Sequence, residues 1–129
     1  IVYSSSWYNL PLDPAVMGQF SADEHRFGIH AGDLETSMML ALSPDHVNMA
    51  EAQNFASTSQ DRAKHYAVLG NGKSAKLGWH MQDYNAQGAA GNAAVASAAK
   101  GEALVQSAGE QLALLLKELV ALPLSTVRV

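Results

Sequence analysis

The sequence predicts an α/β fold, and three observations carry that prediction. The chain opens on "IVYSSSWY", β-branched and aromatic at both ends with small serines between, which reads as a buried strand. In "AKLGWHM", Ala75, Leu77, Trp79 and Met81 alternate with Lys76, Gly78 and His80, the period of two that marks a second strand. Leu34, Met38 and Leu42, and later Leu104, Ala108, Leu112, Leu115 and Leu119, recur at helical spacing. Strand, helix, strand and long helix in that order suggest α/β, and 129 residues suggest one domain, residues 1–129.

After the first strand, "NLPLDPAVMGQFSADEHR" holds Pro11 and Pro14 and reads as a loop. Within it, Asp13-Pro14 could start a short helix as N-cap and first residue. The next helix spans about Asp33 to Leu42, with Asp33 and Glu35 in the first turn, where the dipole favours acids, and Ser43-Pro44 as its stop. "STSQDRAKHYAVLG" reads as a surface helix closed by Gly70, "NGK" as a turn, and "QDYNAQGAAGN" as a glycine-rich loop. From Asn92, a plausible N-cap, a helix of near 30 residues runs to a stop at Pro123, with Gly101 and Gly109 as points where it could bend or split.

Composition removes several function classes. Hydrophobic residues make up 48% and charged residues 16%, a globular balance rather than a disordered one. A net charge of −4 gives no electrostatic footprint for nucleic acid, and no basic run suggests a membrane surface. With no cysteine, disulfides, thiolate catalysis and cysteine-ligated zinc are excluded together, which fits a cytoplasmic protein. The missing Met and the immediate β-branched run predict a chain cut from something longer.

The candidate chemistry centres on "FGIHAGDLETSMML". His30 stands just ahead of a helix N-terminus, where the dipole favours neutral imidazole. Such an imidazole can accept a proton from water or donate one to a leaving group, and Glu35 could fix its tautomer. Gly28 and Gly32 allow close approach of backbone and substrate. The same residues also read as a helix cap with an incidental histidine. Asp61 and His65, four apart, have a metal-holding spacing but read more simply as a solvated face. His25, His46 and His80 read as surface or hydrogen-bonded histidines. Trp7, at a strand end, is either a ligand contact or a core aromatic. "QGAAGN" could hold an anion on its backbone amides or serve only as a turn and cap. The leucine stripe of the last helix is core or interface.

At "HAGDLETSMMLALSPDHV" the sequence resembles the creatininase (creatinine amidohydrolase) family. His30, Ala31, Gly32, Glu35, Thr36, Ser37 and Pro44-Asp45 match the family's stretch in order. Downstream, the alanine-rich helix with Lys100-Gly101-Glu102 resembles the family's closing segment, and upstream "SSSWYN" resembles the strand that carries a tryptophan over the active site. The resemblance covers essentially the whole chain. It implies a three-layer α/β fold with a mainly parallel sheet flanked by helices, of which this chain is the C-terminal half. It implies a metal-dependent hydrolase acting on non-peptide C–N bonds in a small cyclic amide or formamide. Its cofactor is two divalent metal ions (zinc, manganese or iron), and its assembly is often hexameric. The implied roles are His30 as catalytic proton shuttle, Glu35 beside it orienting His30 or reaching a metal, and Trp7 closing over substrate.

The chain also departs from the family. The family's Glu-x-His, Asp and Asn-Gly-His ligand segments belong to the half before this chain, so metal ligands are expected mostly outside it. "NGK" at Asn71 lacks the histidine. Ile29 replaces an acid, and Arg26-Phe27 lie where a substrate-contacting tryptophan is expected; both argue against creatinine itself as substrate. The expected partners are a small amide, the chain's own N-terminal half and further copies of itself, with no nucleic acid or membrane. The alternatives are a non-catalytic fragment and a family member that trims a peptide.

Overall fold

A computed structural model describes residues 2–127. Six α-helices are described: α1 (Pro14–Met17), α2 (Ala22–Phe27), α3 (Asp33–Leu42), α4 (Thr58–His65), α5 (Met81–Tyr84) and α6 (Ala98–Ala121). Two short strands, β1 (Asn54–Phe55) and β2 (Gly91–Asn92), pair antiparallel, with Asn54 opposite Asn92 and Phe55 opposite Gly91. The architecture is mixed α/β and mostly helical.

α3 occupies the predicted span. Its N-cap, Gly32, has no side chain to cap with; Glu24 Oε1 accepts from Leu34 N and Glu35 Oε2 from Ala31 N instead, while the first-turn acids Asp33 and Glu35 suit the helix dipole. α6 starts later than predicted. Ser97, not Asn92, is its N-cap and accepts from Lys100 N, while Asn92 lies in β2 and Ala93–Val95 form a 3-10 turn. Neither Gly101 nor Gly109 splits α6. Gly101 instead lets α6 cross α3 at backbone contact: a Cβ there would lie 1.8 Å from the Ser37 carbonyl oxygen. Ser37 and Leu104 are fully buried at this crossing, with Phe20 and Ala93 also in the core.

Both predicted strands need correction. Residues 2–6 carry no ladder, and Trp7–Asn9 form a 3-10 turn; Ile1 lies outside the described residues. Residues 75–80 form neither strand nor helix, are all exposed, and lead into α5. Alternation alone does not make a strand, because a ladder needs a neighbour, and no described segment pairs with either run. The predicted loop before residue 28 contains two helices. Asp13 Oδ1 caps α1 by accepting from Ala15 N at 2.7 Å, and Ser21 Oγ caps α2 by accepting from Glu24 N at 3.0 Å. α4 stops at His65, and Gly70 falls in a separate 3-10 turn, Leu69–Asn71, close against Ala63. The three-layer parallel sheet is not among the described residues. Nor does any described helix have the length and apolarity to cross a membrane.

The leucine stripe of α6 divides in two. Leu104 is buried against α3, whereas Leu112 is half exposed and Val120 almost wholly so. On α3, Met39 and Leu42 are likewise uncovered. Among the described residues, Met39, Leu42, Leu112 and Val120 are only partly covered.

Candidate active site

His30 is held by its backbone. Ala90, fully buried, accepts from His30 N at 3.2 Å and donates its own N–H to the His30 carbonyl at 2.8 Å, an isolated antiparallel bridge. The chain then turns sharply into α3. Ala31 adopts φ 55°, the left-handed region, unusual for a residue with a Cβ and worth about 1 kcal/mol of strain. The turn is closed from both sides: Ala31 N donates to Glu35 Oε2, and Thr36 Oγ1 donates to the Ala31 carbonyl at 3.3 Å. Glu35, at the third helical position, therefore caps α3 by reaching back.

The same Glu35 Oε2 lies 3.4 Å from His30 Nδ1. That is an electrostatic contact, longer than a formed N–H···O bond. With the side chains 56% and 43% exposed, it stabilises the fold by no more than about 1 kcal/mol. Catalytic contacts are often loose without substrate and tighten on binding. Nδ1 facing the carboxylate leaves Nε2 as the nitrogen available for proton exchange.

Trp7 shares a cavity with this pair. A cavity of about 330 Å³ is lined by Trp7, Tyr8, Glu24, Ile29, His30 and Glu35 among others. Trp7 packs edge-on against Tyr8, with ring centroids 5.8 Å apart. The three predicted site residues are thus brought together. A broader apolar groove of about 620 Å³ opens on the other side of His30 and Glu35, walled by Met38, Met39, Leu42, Val47 and Phe55.

Glu24 escaped the sequence reading. It is 5% exposed, and its carboxylate accepts from Leu34 N at 3.2 Å through Oε1 and from Asn92 N at 3.1 Å through Oε2. It ties the first turn of α3 to β2 and lines the Trp7–His30 cavity. Three glycines make room for it: a Cβ on Gly28, Gly32 or Gly91 would come within 3.0 Å of the carboxyl group. The available signal was Ser21-Ala22-Asp23-Glu24, a capping-box spacing. Only half the box forms, because Glu24 turns inward. In "QGAAGN" the backbone amide of Asn92 does hold an anion, and that anion is the Glu24 carboxylate.

A second buried acid, Asp33, is 2% exposed. Lys100 Nζ lies 2.6 Å from both its oxygens, and Ser37 Oγ donates to Asp33 Oδ1 at 3.0 Å. Ser97 N donates to Ser37 Oγ at 3.1 Å. This network pins α6 to the start of α3. The remaining histidines behave as expected: His25 Nε2 meets the Met17 carbonyl at 2.9 Å and His46 Nδ1 meets Ser43 Oγ at 2.7 Å, while His80 lies exposed at the start of α5. His65 Nδ1 faces the Asp61 carbonyl at 2.8 Å. The Asp61 carboxylate takes Lys64 at 3.0 Å, and that hydrogen bond holds its carboxyl below the usual range. Asp61 and His65 are thus engaged in helix contacts rather than aimed at a shared ion.

The described residues do not by themselves make a metal site. His30 and Glu35 supply two donors, and among the described residues no group of three or more possible ligands occurs.

Residues 2–116 match the family described as Creatininase: Creatinine amidohydrolase. The chain belongs to the creatininase family, in general a family of divalent-metal enzymes. A solved structure from Bacteroides fragilis NCTC 9343, provisionally named a creatinine amidohydrolase, is 31% identical and superposes with a TM-score of 0.69. The match covers 93% of this chain and 43% of that one, so the chain spans less than half the length of that protein. No curated protein matches the chain at a significant level.

Proposed function

We propose that the chain is the C-terminal, proton-transfer part of a metal-dependent amidohydrolase acting on a non-peptide C–N bond in a small cyclic amide or formamide. The observation that carries this reading is the convergence of His30, Glu35 and Trp7 on one cavity, within the segment that matches the family. Because the described residues offer too few donors, the ligands of the two divalent ions (zinc, manganese or iron) belong to the N-terminal half, which also completes the parallel sheet and its flanking layers. Assembly into a homo-oligomer, a hexamer by family likeness, and a cytoplasmic location complete the proposal.

In hydrolysis the amide C–N bond breaks, the carbon gains the hydroxyl of water, and the nitrogen gains the remaining proton. His30 Nε2 carries that proton, while Glu35 keeps Nδ1 protonated and the ring aligned. Trp7 covers the substrate and excludes bulk water.

The test is single-turnover kinetics on the complete, metal-replete enzyme, normalised to folded protein. His30→Ala should lower kcat by about 10²–10⁴-fold with little change in KM or bound metal. Trp7→Ala should raise KM. Turnover of His30→Ala within a few-fold of the parent removes His30 from the mechanism and leaves it as part of a helix cap.

A further inference from the structure

On the other side of Ile29 lies a cavity of about 280 Å³ with no counterpart in the reading above. Arg26, Arg62 and Lys76 line it together with Phe27, Trp79 and Tyr84, and no aspartate or glutamate does. The bias is unexpected for this chain. Its net charge is −4 with only eight lysines and arginines, yet three of the eight face one cavity. None of the three pairs with an acid among the described residues, where the ion pairs are His30–Glu35, Lys64–Asp61 and Lys100–Asp33.

The two guanidinium groups are preorganised by aromatic rings. Arg26 Cζ lies 4.8 Å from the Phe27 ring centroid and Arg62 Cζ 5.2 Å from that of Tyr84. Arg62 Nη1 also donates to Thr58 Oγ1 at 3.0 Å, which orients the fork. A stacked guanidinium keeps its in-plane donors free for a carboxylate or phosphate and loses less side-chain entropy on binding. Trp79 and Tyr84, edge-to-face with centroids 5.4 Å apart, add a flat apolar wall. The volume sits at the low end of small-molecule pockets, roughly 300 Å³, enough for one ring and its substituent. Three cationic residues and no acid around one concavity favour an anion there.

We infer that this cavity binds an oxyanion carried on a planar ring. Where the amidohydrolase proposal holds, the oxyanion belongs to the substrate, because Ile29 forms a wall of both this cavity and the Trp7–His30 cavity. The source of the charge is a carboxylate or a phosphate monoester.

Calorimetric titration of the protein with benzoate, phenyl phosphate and benzamide tests the inference. Benzamide keeps the ring and removes the charge. At least one of the two anions should bind ten-fold or more tighter than benzamide, and which anion is preferred identifies the source. Arg26→Gln and Lys76→Gln, both at exposed positions, should each weaken the anion about three- to ten-fold and leave benzamide unchanged. The Trp79 indole N–H resonance should shift on titration. Equal binding of anions and benzamide overturns the inference, as does an anion affinity unaltered in the double variant. Because binding is read without turnover, a failure of the hydrolysis proposal leaves this result standing, and the reverse also holds.

Discussion

Gly101→Ala sets helix propensity against tertiary packing, and the two predict opposite signs. In an exposed helix interior the substitution stabilises by about 1 kcal/mol. At position 101, however, the new methyl would meet three backbone atoms of α3: Ser37 O at 1.8 Å, Ser37 C at 2.4 Å and Met38 N at 2.9 Å. Backbone cannot rotate out of the way as a side chain can. Moving from 1.8 Å to the 3.0 Å floor of real Cβ contacts requires α3 and α6 to part by about 1.2 Å. That separation is felt by the Ser97–Ser37 hydrogen bond and the Lys100–Asp33 pair beside it. Overpacking of this kind costs about 1–3 kcal/mol, and a lost buried hydrogen bond about 1 more. After the propensity gain, the net is a destabilisation of about 1–3 kcal/mol, or roughly 4–12 °C in Tm for a domain of this size.

Gly109→Ala is the internal control. It lies two turns further along the same helix, and a Cβ there meets nothing within 4 Å. It should stabilise by about 0.5–1 kcal/mol. Thermal and urea denaturation of both variants beside the parent decide the matter. If Gly101→Ala is neutral or stabilising, the close α3–α6 crossing is wrong, and the placement of Asp33 and Lys100 goes with it.

Three further outcomes follow from the same geometry. Lys100→Met strands the buried Asp33 carboxylate and should cost about 3 kcal/mol or more in urea denaturation, whereas Asp33→Asn with Lys100→Met should cost clearly less, because no uncompensated charge remains. Gly32→Ala would put a Cβ 2.2 Å from Glu24 Oε1 and should destabilise by about 2–4 kcal/mol; adding Glu24→Ala should recover part of that, seen as non-additivity in a double-mutant cycle. The 129-residue chain alone should show no tight one-to-one binding of zinc or manganese in calorimetry, and tight stoichiometric binding would mean that its donors converge differently.

What the sequence revealed follows from how local each feature is. α3 was legible to its ends because its signals are internal to it: acids in the first turn, an i, i+4 stripe, and Ser43-Pro44 after it. The His30–Glu35 pair was legible for the same reason, being five residues apart. The two strands were misread because alternation reports a segment's own pattern, while a strand exists only with a neighbour. Glu24 was missed because its partners are remote. Leu34 is ten residues away and Asn92 sixty-eight, and three glycines from separate segments make its space. That Trp7 and His30 line one cavity also lay beyond spacing arguments, and the covering role proposed for Trp7 entered only through the family resemblance.

In "HAGDLETS" the helix cap and the proposed proton relay would be one arrangement rather than two alternatives. The carboxylate that accepts from Ala31 N to close the start of α3 is the carboxylate that faces His30 Nδ1. A free glutamate would lose rotamer freedom on meeting an imidazole, which is why exposed ion pairs contribute so little. Glu35 has already lost that freedom to the cap, so its contact with His30 carries a smaller entropic penalty. The left-handed Ala31 between them is the strained joint that lets both contacts form, and it persists because Ala90 clamps His30 on one side and Thr36 closes the turn on the other. Stability and the proposed proton transfer would therefore draw on the same few atoms. That is the physical reason to judge substitutions here by turnover per folded molecule, since loss of folded protein alone would mimic loss of catalysis.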